Sequence, residues 1–208
     1  MWKIPSLLLT LWGISLPAMA QSPTKEFYQS GEVKSEGVTH DGLKVGEWRF
    51  FYPNGKLNAV ERYKDGTLNG KVTYYFPNGQ VQGIETWRSG SLFDSAFYYH
   101  ENGTLDKKGI YENSSYSGTW RHYFENGIIE RVVSYSNGLP EGETNVYNDK
   151  GALIQKGAYH EGKENGEWSF YADDGTLEFV GSYQEGKPVG TWYTFIKGKK
   201  KVYKKYKN

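Results

Sequence analysis

The chain has 208 residues, 25 Lys and Arg against 24 Asp and Glu, a net charge of +1 and no cysteine. Without Cys there are no disulfides, thiolate metal sites or Cys nucleophiles, so stability must come from packing and hydrogen bonds. A mean hydropathy of −0.73 fits a thin structure with much exposed surface.

Residues 1–20 stand apart. Lys3 gives a positive start, a short apolar run follows, and Ala18-Met19-Ala20 is a small-residue cleavage signal. The pattern predicts a secretory signal peptide cut before Gln21, because the apolar run is too short to span about 30 Å of hydrocarbon. With no Cys to carry a lipid anchor, the expectation is an exported chain, periplasmic or extracellular. Residues 197–208 hold seven lysines and no acid, which leaves residues 21–196 with seven more acids than bases. Such a tail reads as a solvated end, with attachment to an anionic membrane surface as the alternative. An acidic body argues against nucleic acid, which requires a basic face.

Between these ends the chain repeats every 24 residues. A turn glycine recurs as Gly55, Gly79, Gly103, Gly127, Gly151 and Gly175. Four residues before it stands an aromatic: Phe51, Tyr75, Tyr99, Tyr123, Tyr147 and Tyr171. An aliphatic follows two residues after it, and Tyr63, Trp87, Tyr111, Tyr135, Tyr159 and Tyr183 complete the series. A half unit over residues 27–42, units starting at 46, 70, 94, 118, 142 and 166, and a worn unit from 190 account for residues 21–196. A fixed period of this size marks an architecture whose units bury apolar surface against their neighbours.

Each unit reads as two strands and two turns. Pro53-Asn54-Gly55 and its equivalents carry the chemistry of a three-residue hairpin loop, a type I turn closed by a glycine bulge. Carried along both strands, that register sets Trp48 opposite Val60, Trp120 opposite Val132 and Trp168 opposite Val180. It outscores the one-residue alternative, which sets Trp48 opposite Glu61, because matched pairs stabilise sheets. One face is then expected to carry the 51, 57 and 63 series as packing, and the other Trp48, Trp120, Trp168 and Trp192. The second turn, over residues 64–70, reads as longer and glycine-bounded. The fold expected is all-β, one long twisted antiparallel meander advancing about 10 Å per unit.

The pattern G-x-W-x-x-[YF]-[YFH]-x-N-G-x-L…Y-x-x-G resembles the MORN-repeat variant of bacterial YwqK-type antitoxin-like proteins. The likeness covers nearly all of residues 27–196, with departures at Asp94, Ala96 and Ser114 and at Thr144, Asn148 and Lys150. It implies β-hairpin repeats used for protein contact, with membrane or lipid contact proposed for such repeats generally.

Chemistry is hard to place on this chain. His40 and His160 lie five units apart, His100 and His122 in adjacent units, and no convergent set of three or four zinc ligands is visible. No Gly-x-Ser-x-Gly elbow occurs, and the glycines sit where turns need them rather than leading into a helix. The expectation is no enzyme, no metal and no cofactor. The leading function is a protein-binding adaptor or antitoxin-like module of the envelope. A cell-wall or polysaccharide binding module is the alternative, with the four tryptophans as contact residues in either case. A homo-oligomer covering one face stays open as well.

Overall fold

The computed structural model describes residues 21–207, so the signal-peptide expectation lies outside the described residues. All regular structure in them is strand. The chain runs through β1 (Ser22–Phe27), β2 (Val33–His40), β3 (Leu43–Phe51), β4 (Leu57–Lys64), β5 (Thr67–Leu68), β6 (Gly70–Tyr75), β7 (Val81–Arg88), β8 (Ser91–Leu92) and β9 (Asp94–Tyr99). It continues through β10 (Leu105–Glu112), β11 (Ser115–Tyr123), β12 (Ile129–Ser136), β13 (Leu139–Tyr147), β14 (Leu153–His160), β15 (Lys163–Tyr171), β16 (Leu177–Gln184), β17 (Lys187–Ile196) and β18 (Lys199–Lys205). Consecutive strands pair antiparallel, except that β4 pairs with both the two-residue β5 and β6, and β7 with both the two-residue β8 and β9, giving one open meander, as the 24-residue period predicts.

The first turn of each unit is the expected three-residue loop. Tyr52 N–H donates to Lys56 O and Gly55 N–H to Tyr52 O, both at 2.8 Å, with Gly55 at φ +78°. The same bonds close the loops after Tyr28, Phe76, His100, Phe124, Asn148 and Ala172. Successive loops are also joined to one another. Asn78, Asn102 and Asn126 each donate from Nδ2 to a carbonyl in the next loop, at 3.0, 3.2 and 2.8 Å. Tyr28 and Tyr52 donate their hydroxyls to Phe51 O and Tyr75 O in the same direction.

The second turn is shorter than expected. Lys64 pairs with Thr67, and Asp65 and Gly66 both take positive φ (50° and 76°), the signature of a two-residue type I′ turn. The pairing slips again just beyond it, where Gly46, Gly70, Gly118, Gly142, Gly166 and Gly190 all have positive φ. Asp94 occupies that place in the third unit at φ +68°, a conformation that costs an L-residue about 1–2 kcal/mol. Its Oδ1 accepts from Ser95 N–H at 2.7 Å, which recovers part of that cost. Asp94→Gly is expected to stabilise the protein by about 0.5–1 kcal/mol. Thermal unfolding checks this, and an unchanged or lower midpoint would refute it.

The register differs from the sequence expectation, and the reason is local. Phe51 does pair with Leu57, as the three-residue loop requires, but one more residue is left out of the ladder immediately afterwards. Phe50 therefore pairs with Ala59 and Trp48 with Glu61, not with Val60. The hairpins built on the three-residue loop repeat the slip: Val72 faces Glu85, Trp120 faces Val133 and Trp168 faces Gly181. The extra residue is Asn58, Gln82, Asp106, Glu130, Ile154 or Glu178, and a bulge of this kind tightens strand twist. The slip redistributes the faces. Tyr63 and its equivalents join the tryptophans, while Phe51 and Leu57 share the reverse face with Arg49 and Val60.

The lysine-rich segment is also reassigned. It is no frayed tail, because β18 pairs with β17 as the last strand of the sheet, reached by a tight turn at Lys197 and Gly198. Every residue of β18 is exposed, and five are lysines. An unpaired edge lined with lysines resists edge-to-edge aggregation, which gives this charge a structural role. The opposite edge, β1, carries Pro23, which cannot donate to a further ladder.

Candidate functional site

The four tryptophans expected as contact residues are the interior of the protein. Trp48, Trp120 and Trp168 are 0–1% exposed and Trp192 is 7% exposed. A single sheet has no second layer to bury a ring, so the sheet does it with glycine. Trp48 lies flat on Gly37 of the preceding strand, Trp120 on Gly109, Trp168 on Gly157 and Trp192 on Gly181. A Cβ on any of these glycines would come within 2.1–2.4 Å of a ring carbon. Three of the indoles donate their N–H across the same strand, to Val38 O (3.0 Å), Ile110 O (3.0 Å) and Ala158 O (3.2 Å). Trp192 Nε1 is buried without a partner.

Tyrosines close over these rings from the side. Tyr111 and Tyr116 stand edge-on to Trp120 at 5.0 and 4.2 Å, and Tyr159 and Tyr183 flank Trp168 at 5.2 and 5.9 Å. Edge-to-face contacts of this geometry add about 0.5–1.5 kcal/mol each beyond area burial. Lys44 Nζ sits 4.4 Å from the Trp48 ring centre, adding a cation–π contact. Contact through the exposed faces of the four tryptophans is thus not available in this structure. The expectation failed because apolar matching was sought across the hairpin, whereas the ring is accommodated across the other neighbour.

Where tryptophan is missing, so is the glycine. Val72, Ala96 and Thr144 take its place, and the residues eleven earlier are Glu61, Glu85 and Val133. Glu85 is buried and held by donors: Tyr98 hydroxyl at 2.6 Å and Trp87 Nε1 at 3.0 Å. Tyr63 bonds Glu61 in the same way. Burial, followed by the bond to Glu85, raises the pKa of Tyr98 well above the usual phenol value, and burial raises that of Tyr111 to about 12. These phenols therefore stay protonated donors at neutral pH.

The aromatics expected as repeat packing pair as predicted with the aliphatics: Phe51, Tyr75, Tyr99, Tyr123, Tyr147 and Tyr171 face Leu57, Val81, Leu105, Ile129, Leu153 and Leu177. All are half-buried on the reverse face, not enclosed. Beside them run Val60, Ile84, Phe97, Val132 and Val180, which are also half-buried. The histidines are scattered: His100 bonds Tyr123 O and His160 bonds Glu141, each near 3 Å. Among the described residues no group of three or more His, Cys, Asp or Glu could hold a metal ion.

One feature was not singled out from the sequence. Lys107, His122 and Arg131 stand directly opposite one another on three consecutive strands of the tryptophan face. The strand pattern alone would have shown it had the register been known.

The sequence pattern of one family, the MORN repeat variant, matches residues 44–65, 68–88, 95–113, 116–137 and 164–185, just over half of the chain. Comparison with curated proteins gives no match. Among solved structures, 50 chains match. Two of them are entitled "Crystal Structure of TcdB2-TccC3" and "Crystal Structure of TcdB2-TccC3-Cdc42", at 13% and 12% identity with a TM-score of 0.20 each. The matches cover 85% of this chain but only 14% and 13% of those chains, and similarity at that level carries no argument about function.

Proposed function

The chain belongs to the MORN repeat variant family, and on that premise we propose that it is a non-catalytic binding protein, exported to the periplasm or cell exterior, that holds another protein against the reverse face of its sheet. The observation that carries this reading is the uncovered apolar strip of that face. It consists of the Phe51 and Leu57 series, with Val60, the adjacent Ile84 and Phe97, Val132 and Val180 beside it and no second layer over them. The latter row is interrupted by Lys108, Arg121 and Lys156. An apolar strip rimmed by polar groups is the usual mark of a protein contact. An adaptor and an antitoxin-like neutraliser are both served by such a surface.

The test is a pull-down from envelope extract with the exported chain as bait, run beside Ile84→Glu and Val132→Glu. A stoichiometric protein band with the parent chain, lost with both variants while their circular dichroism is unchanged, is the expected result. A band that survives both substitutions would move contact away from this face.

The polysaccharide alternative no longer has the tryptophan row to support it, but one cluster favours it. Phe170, Phe179, Tyr183, Pro188, Trp192, Tyr203 and Tyr206 line a cavity of about 260 Å³ near the last strand, and Tyr203 is 58% exposed. Co-sedimentation with isolated cell wall, abolished by Tyr203→Ala, would support that second reading.

A further inference from the structure

Among the described residues, the Lys and Arg side chains that form salt bridges are Lys25, Arg49 and Arg62. Lys25 meets Glu36 at 2.8 Å, and Arg49 and Arg62 both meet Glu47. Lys107, His122 and Arg131 form a different arrangement. They are consecutive cross-strand neighbours in one row, flanked by Tyr98 on one side and Val146 on the other. The two cations stand on either side of a half-buried imidazole, and burial together with their charges disfavours its protonated form. No described acid forms a salt bridge with Lys107 or Arg131. The equivalent positions in the other units carry no cation: Ser35, Ala59, Gly83, Gln155 and Phe179 where Lys107 and Arg131 stand, and Glu26, Phe50, Tyr74, Tyr98, Val146, Phe170 and Thr194 where His122 stands. The row is specific to the middle of the sheet.

From this geometry we propose that Lys107, His122 and Arg131 form a binding site for an oxyanion, either a carboxylate or a phosphate group. Tyrosines wall the site. Lys107 Nζ lies 4.7 Å from the centre of the Tyr98 ring and 3.5 Å from the Tyr116 hydroxyl, and Tyr116 and Tyr135 are 5.1 Å apart. The guanidinium of Arg131 supplies a planar fork, Lys107 a point charge, and the half-buried imidazole a further donor. These residues lie on the tryptophan face, opposite the proposed protein contact, so the site stands whether or not that contact exists.

His122 reports on the site. Burial, with Arg131 and Lys107 beside it, lowers its pKa to about 4, and Asp106 acts weakly in the other direction. Asp106 itself lies 3.8 Å from His100. An anion held between the two cations cancels their repulsion and favours the imidazolium, so the His122 pKa must rise when the site fills.

The experiment follows the His122 ring by NMR across pH, with inorganic phosphate, with acetate, and with chloride at equal ionic strength. Phosphate is expected to raise the pKa by at least about one unit, tenfold in the protonation constant. Response to acetate as well identifies a carboxylate-accepting site, and response to phosphate alone a phosphate-selective one. In a Lys107→Gln/Arg131→Gln variant the baseline pKa should rise and the anion response should vanish, with an unchanged circular dichroism spectrum and a cooperative thermal transition showing that the variant is folded. An identical titration in all three salts overturns the proposal. So does a phosphate response that persists in the double variant.

Discussion

Replacing Gly109 by alanine is expected to destabilise the protein by about 3 kcal/mol, the upper end of what overpacking costs. The reason is distance: a Cβ at 109 would stand 2.2 Å from Cδ2 and 2.3 Å from Cε2 of Trp120. The ring cannot slide aside, since Tyr111 and Tyr116 flank it and its N–H is bonded to Ile110 O. In a chain of this length such a loss lowers the unfolding midpoint by roughly 6–12 °C. Turn glycines serve as the control. Nothing lies within 4 Å of a Cβ at Gly127, so Gly127→Ala carries only the strain of φ +83°, about 1–2 kcal/mol. Equal losses at the two positions would refute steric exclusion by the ring.

The second large effect is Trp120→Ala, expected to cost about 3–5 kcal/mol through the cavity it leaves. A ring serving only as a surface contact would cost far less. Trp192→Ala should cost less than Trp120→Ala, because Trp192 retains 7% exposure and its N–H has no partner to lose. Chemical denaturation of the two variants side by side reads the order directly, and a reversed order would contradict the assignment.

Turn chemistry was the most legible part of the sequence. Pro53-Asn54-Gly55 specified its loop correctly because Pro, Asn and Gly act on their own backbone, with no help from elsewhere in the chain. The period, the all-β class and the pairing of Phe51 with Leu57 followed from it. Register failed one residue later. Asn58 and its equivalents leave the ladder, and a one-residue slip moves every following side chain to the other face. The missed signal was present at a longer spacing. Trp48, Trp120, Trp168 and Trp192 all have glycine eleven residues earlier, while Val72, Ala96 and Thr144 have Glu61, Glu85 and Val133. That correlation joins neighbouring units, so a search confined to one hairpin could not find it.

The consequence for function is a change of surface. The residues most conspicuous in the sequence are spent inside the sheet, where each indole fills the space a glycine leaves open. The surfaces on which the two proposals rest are the half-buried side chains around Val60, Ile84, Phe97 and Val132, and the row at Lys107, His122 and Arg131. Neither stands out by residue type. Both become visible only once the register is known.

The pairing of glycine with tryptophan across strands is tested most directly by a double-mutant cycle on Gly109→Val and Trp120→Thr. These substitutions install the Val133 and Thr144 pair that the next unit already uses at the facing positions. Each protein's unfolding free energy is measured in denaturant, and the four values give the coupling. Gly109→Val alone should be severely destabilising, yet it should cost almost nothing once Trp120 is threonine. If instead the two losses simply add, the ring does not lie on Gly109 and the interior described here is wrong.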